Sequence, residues 1–129
     1  MSEFSDSLSL STSGLRAQTR RLRHVSENIA NTDTPGYRRK TIAFETQMTG
    51  DVRGTVSPGR VGLDRSDLTQ IYDPGHPLAD ATGNYDGSNV NLVIEIADAR
   101  EAQRSYEANL KMFDQARQMS SSLMDLLRR

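Results

Sequence analysis

The 129-residue sequence predicts a mainly α fold: two long terminal helices form an antiparallel coiled-coil-like hairpin, with a small irregular or β-hairpin insert between them. Three observations lead to that reading. Apolar residues recur in alternating steps of three and four near each end, which places them on one stripe of a helix. Most Gly and Pro residues lie between those two patterned segments. Leu, Ile, Val and Phe together number only 26, at the lower edge for a chain that must build its own core. The organisation expected is an N-terminal coiled-coil helix over 1–31, a turn, extended loop and small β insert over 32–88, and a C-terminal coiled-coil helix over 89–129.

In the first segment the stripe runs Phe4, Leu8, Ser11, Leu15, Gln18, Leu22, Val25, Ile29. One half of this seam is clean, at Leu8, Leu15, Leu22 and Ile29, whereas Ser11 and Gln18 interrupt the other half. Polar seam positions weaken association but help to fix register. The helix is expected to stop near Asn31, which tolerates a left-handed cap, because Pro35 forbids continuation. Pro35-Gly36 fits the two central positions of a type II turn.

The middle offers short strand candidates at 41–46, 60–64 and 68–72, and Asp73-Pro74-Gly75-His76-Pro77 reads as a rigid turn. A loop region this long points to a small β-hairpin flanked by mobile chain. The last segment repeats the helical steps at Leu92, Ile96, Ala99, Gln103, Tyr106, Leu110, Phe113, Arg117, Ser120, Met124 and Leu127. Asn89 or Asn91 can cap its start, and Glu95 and Asp98 suit the positive end of the helix dipole. Asp125 and Arg129 form an i,i+4 pair at its close.

Charge divides along the chain. Residues 1–40 carry seven Arg or Lys against four Asp or Glu, residues 41–91 three against seven, and residues 92–129 six against six. Segments of opposite sign can steer subunits into register. With no cysteine, disulfides and thiol chemistry are excluded. No apolar run approaches the length of a membrane span, and the first residues lack the basic-then-apolar pattern of a cleavable signal. Direct membrane insertion and a cleaved leader are therefore not expected.

Chemistry-bearing patterns are sparse. His24 and His76 lack the convergent donors at known spacing that a metal needs, and no phosphate loop, nucleophile elbow or HExxH occurs. No catalytic, cofactor-binding or metal residue is assigned, and an enzyme is not expected. Arg16, Arg20 and Arg23 share a helical face, which raises nucleic acid. Net charge of −1 and the absence of aromatics among them favour a face that meets carboxylates or water. Periodicity leaves open whether each stripe packs on the same chain or another; Phe4, Leu8, Leu15, Leu22, Val25, Leu92, Ile96, Tyr106, Leu110, Phe113, Met124 and Leu127 are the expected packing residues.

Ser26-x-Asn28-Ile29-Ala30-Asn31-x-x-Thr34-Pro35-Gly36-Tyr37 resembles the signature of the bacterial flagellar basal-body rod and related axial proteins. Asn89-Val90-Asn91, running on to Ala102-x-Arg104-Ser105-Tyr106-Glu107-Ala108-Asn109-Leu110, resembles the C-terminal helix of that group. Tyr72-Asp73-Pro74-Gly75-His76-Pro77-x-Ala79-Asp80 is similar to a stretch of its short proximal members. Ser88 departs from the proline expected there in many relatives and bears on the entry angle of the last helix. The resemblance implies a structural subunit of the proximal rod, assembling helically around the export channel as part of a torque-transmitting shaft. Its implied partners are copies of itself, other rod proteins, the MS-ring and export-gate adaptor neighbours, and the flagellar type III export apparatus. The implied location is the periplasm-spanning rod, reached without a cleaved signal peptide. Within that reading Asn28 and Asn31 fix the helix end, and Thr34, Pro35, Gly36 and Tyr37 fix the direction of the departing chain. Another short axial protein, a cytoplasmic helical adaptor or a nucleic-acid binder are the alternatives.

Overall fold

A computed structural model describes residues 2–48 and 50–128. Met1, Thr49 and Arg129 lie outside the described residues, and with them the expected Asp125–Arg129 pair. Helix α1 spans Ser2–Ala30 and helix α2 spans Leu92–Leu127, about 43 and 54 Å at the α-helical rise. They pack antiparallel: Asn28, near the end of α1, bonds to Glu95 in the first turn of α2. Asn91 caps α2, its side chain accepting from the Val93 N–H at 3.0 Å.

The faces that meet are narrower and more polar than the sequence suggests. On α1 the buried positions are Ser11, Gly14, Ala17, Val25 and Asn28; on α2 they are Glu95, Ala102 and Ala116. Each helix is therefore turned by about one residue from the expected seam. Val25 is buried, and Phe4, Tyr106 and Phe113 are half-buried. Leu8, Leu15 and Leu22 are only half-buried, and Leu92, Ile96, Leu110, Met124 and Leu127 are exposed. The physical reason is close approach. A Cβ placed on Gly14 would lie 2.5 Å from Asn109 Oδ1, so the helices come together at small residues and leave Leu8, Leu15 and Leu22 at the margin, half-buried.

Between the helices lie two antiparallel hairpins instead of one. Strand β1 (Lys40–Thr46) pairs with β2 (Val56–Leu63), and β3 (Gln70–Tyr72) pairs with β4 (Asn84–Asp86). Strand β2 begins before the expected 60–64. Its Pro58-Gly59 is accommodated because the register shifts between Ile42 and Phe44, an irregularity that tolerates a missing donor. Gly59 is required there, since a Cβ would come within 2.9 Å of the Ala43 carbonyl. The hairpin is fixed to α1 by the Val56 N–H donating to Ser13 Oγ.

Strand β4 carries no sequence signal of its own. Its three residues complete a ladder that Gly87 N–H→Thr69 O and Thr69 N–H→Ser88 O extend. His76 closes the tip by stacking on Tyr85 at 3.9 Å. In total the chain exposes 9130 Å², against roughly 6,800 Å² expected of a compact protein of this mass.

Candidate functional site

The signature segment forms the junction where α1 ends, the chain turns, β1 departs and α2 begins. Asn28 stands at its centre and is 1% exposed. Its Nδ2 donates to the Lys40 carbonyl at 3.0 Å and to Glu95 Oε2 at 3.3 Å. Its Oδ1 accepts from the Tyr37 hydroxyl and the Lys40 N–H, both at 2.8 Å. Both donors and both acceptor sites of the amide are thus used. One buried side chain ties the helix end to the return strand and to the second helix.

Asn31 closes α1 without the expected left-handed backbone. Among the described residues only glycines have positive φ. Asn31 instead donates from Nδ2 to the Glu27 carbonyl at 2.8 Å, capping by side chain, and its Oδ1 accepts from Thr34 Oγ1. The turn follows: Gly36 has φ 74° and the Tyr37 N–H donates to the Thr34 carbonyl, the type II pattern that asks for glycine at its third position. The Gly36 N–H donates to the carbonyls of Asp86 and Gly87, which docks the second hairpin on the turn. Ser26, Ile29, Ala30 and Pro35 are exposed. The structure brings together Asn28, Asn31, Thr34, Gly36 and Tyr37, and leaves those four facing outward.

Around this hub lies an ionic network that the sequence reading missed. Glu95 lies in the first turn of α2, where it suits the helix dipole as expected, and is also 0% exposed. Its Oε1 accepts from Arg39 Nε at 2.6 Å. Arg39 also meets Asp98 at 3.3 Å and Asp64 at 3.5 Å, while Asp98 meets Arg21. Burial works against the charged form of Arg39, but the bonds from Glu95, Asp64 and Asp98 outweigh it and raise its pKa. Ser66, through its N–H and hydroxyl, and then Arg39 hold Asp64 below the usual carboxylate range. Lys40 Nζ pairs with Glu27 at 2.7 Å, which lowers the carboxyl and raises the amine. Burial raises the Tyr37 hydroxyl.

Asn89 completes the latch by accepting from the Arg39 N–H at 2.7 Å and donating to the Asp64 carbonyl. Ser88, the departure from proline, donates through its hydroxyl to the Thr32 carbonyl. A usable signal did exist. Gly14, Arg21 and Asn28, and Glu95, Ala102, Asn109 and Ala116, recur every seven residues beside the leucine-based stripes.

Nothing in this arrangement aligns a nucleophile with a base. His76 Nδ1 accepts from the Leu78 N–H. His24 is nearly enclosed; among the described residues neither ring nitrogen has a hydrogen-bond partner, and Nδ1 lies 4.0 Å from Glu27. Among the described residues no group of three His, Asp or Glu is placed to hold a metal ion, and no helix is long and apolar enough to cross a membrane. The junction fixes geometry, holding two helices side by side with several large apolar residues of α2 exposed.

Comparison with known proteins adds to this geometry. Residues 8–38 match the family described as flagella basal body rod protein, and residues 81–126 match the flagellar basal body rod FlgEFG protein C-terminal family. The chain is 46% identical to the flagellar basal-body rod protein FlgC of Agrobacterium fabrum, over 99% of this chain and 98% of that one. It is 32% identical to FlgC of Salmonella typhimurium, covering 88% of this chain and 90% of that one. With FlgC of Bacillus subtilis it shares 31% identity, over 93% and 95%.

Proposed function

The chain belongs to the FlgC family of flagellar basal-body rod proteins and is a structural subunit of that rod; on that premise we propose that it occupies the proximal rod and assembles helically around the export channel. In this reading it performs no catalysis. It transmits torque because its helices are clamped between neighbouring subunits. The observation that carries the reading is the outward placement of Leu92, Ile96, Leu110, Met124 and Leu127, all exposed on one isolated chain. Large apolar side chains left in water on a helix mark surfaces that another protein covers. A contact of the kind that does not close on itself propagates as a helical tube.

The neighbours in this proposal are further copies of the chain, other rod proteins, and the MS-ring and export-gate adaptor components at the base. Delivery is by the flagellar type III apparatus. The N-terminal segment to about residue 31 and the segment from 89 onward act as packing elements, and the insert reaches to other subunits. The signature residues hold the two helices at one angle, so that every copy presents the same faces.

Basal bodies purified from a deletion strain carrying Leu15→Asp and Leu22→Asp test it. The expected result is a truncated shaft, loss of motility and normal export of unrelated secreted proteins. A full-length shaft in the double variant would count against the reading.

A further inference from the structure

We propose that a groove rimmed by arginines between α1, β2 and α2 receives the acidic β3–β4 lobe of a second copy of this chain; the inference rests on the rod-subunit reading above. The groove has an apolar floor of Leu15, Pro58 and Tyr106, with Arg16, Arg20 and Arg23 along one side. All three arginines are exposed, and among the described residues none takes part in an ion pair, whereas Arg21 between them pairs with Asp98 and Glu101. They span about 10 Å of helix. Three like charges so close repel one another until an anionic partner arrives.

The lobe has the complementary composition. Residues 66–88 contain Asp67, Asp73, Asp80 and Asp86 and no Lys or Arg. All four carboxylates are exposed, and none forms an ion pair among the described residues. The Thr82 hydroxyl, then the Asn84 N–H, keep Asp80 below the usual carboxylate range, so it remains charged. Beside these acids, Tyr72 and Leu78 are more than 60% exposed, enough apolar surface to meet the floor of the groove. A protruding acidic ribbon with an apolar tip matches an apolar slot with a basic rim, and both belong to one sequence.

Within one chain the match is not made. The lobe is held at the far end of α1, through Gly36 to Asp86 and Gly87 and through Ser88 to Thr32. Each copy therefore offers its lobe to one neighbour and its groove to another. This heterologous contact propagates along an assembly, and its charges favour capture in the correct register.

The chain has no cysteine, so engineered thiols report the contact cleanly. A strain producing both Arg20→Cys and Asp73→Cys copies should yield, in oxidised basal bodies, a disulfide-linked dimer absent when either variant is produced alone. Charge exchange gives the second readout. Arg20→Asp with Arg23→Asp, or Asp67→Arg with Asp73→Arg, should lower incorporation into basal bodies at least about tenfold, since like charges then face each other. All four changes together should restore it. Absence of the mixed dimer, or failure of the fourfold variant to recover, overturns the contact and leaves the rod reading intact. Absence of the unmodified chain from basal bodies overturns both.

Discussion

Glu95 is enclosed, and among the described residues its carboxylate is held by Arg39 and Asn28 alone, whereas Arg39 also meets Asp98 and Asp64; removing Arg39 therefore strands Glu95. Arg39→Met should destabilise the junction by about 3–5 kcal/mol, the usual result of leaving one member of a buried pair without its partner. Glu95→Leu combined with Arg39→Met should cost clearly less, because no fully enclosed charge is then left without a partner; urea titration of the purified chain compares them. Equal losses in the single and double variants would show that the pair stabilises the fold outright. The carboxylates set the pH response. Glu27 and Asp64 have folded pKa values below their unfolded ones, so near those values the unfolded chain binds more protons and stability falls as pH drops. Unfolding followed from pH 7 down to about pH 3 should show that loss below the ordinary carboxylate range, with a shallower slope in Asp64→Asn. The hub itself was partly legible: Asn28, Asn31 and Gly36 stand in the signature, and the Pro-Gly turn has a conformational reading of its own. Glu95 was not legible. It sits beside Ile96, and a helix phased on its largest apolar residues sends Glu95 to solvent.

The two helices illustrate why a seven-residue pattern fixes the existence of an element better than its rotation. Both stripes are readable in the sequence, which leaves open what each packs on; on one half of each, Val25 of α1 is buried and Tyr106 and Phe113 of α2 are half-buried. The other half was assigned to Leu8, Leu15, Leu22 and to Ile96, Leu110, whereas the contact runs through Gly14, Asn28, Glu95, Ala102 and Ala116. Hydrophobicity could not distinguish a seam that closes within the chain from one that awaits another molecule. Packing at Gly14 makes a sharp forecast. In a free helix Gly→Ala gains about 1 kcal/mol, but here the new methyl would overlap the Asn109 amide. Gly14→Ala should therefore destabilise the hairpin, and Gly14→Ala with Asn109→Ala should recover the helix-propensity gain. A non-additivity of at least about 1 kcal/mol in the thermal unfolding of the four variants is expected. Additive behaviour would mean that the helices have room to part. The second hairpin was invisible for a different reason: β4 is three residues long, held by the ladder, by Gly36 and by the His76–Tyr85 stack, none of which is local in sequence.

At the scale of the molecule, order is unevenly supported. The junction concentrates buried polar contacts around Asn28 and Glu95, and both hairpins attach near it or along α1. Beyond Ala116 no residue of α2 is buried, and Leu123, Met124, Leu126 and Leu127 all lie exposed on the last turns. A lone helix of that kind has neither packing nor length to offset its ordering entropy, roughly 1–2 kcal/mol per residue for the backbone. The isolated chain is thus expected to hold a folded junction with fraying helix tips, and incorporation supplies the missing contacts, coupling completion of the fold to assembly. Hydrogen exchange separates the two regimes. In the purified chain, amides of 117–127 should exchange at nearly the rate of an unfolded peptide while those around 24–28 and 95–102 are protected. In assembled rods all of them should be slow. Strong protection of 117–127 in the free chain would show that α2 is stable without neighbours, and its exposed leucines would then need another explanation than an interface awaiting its partner.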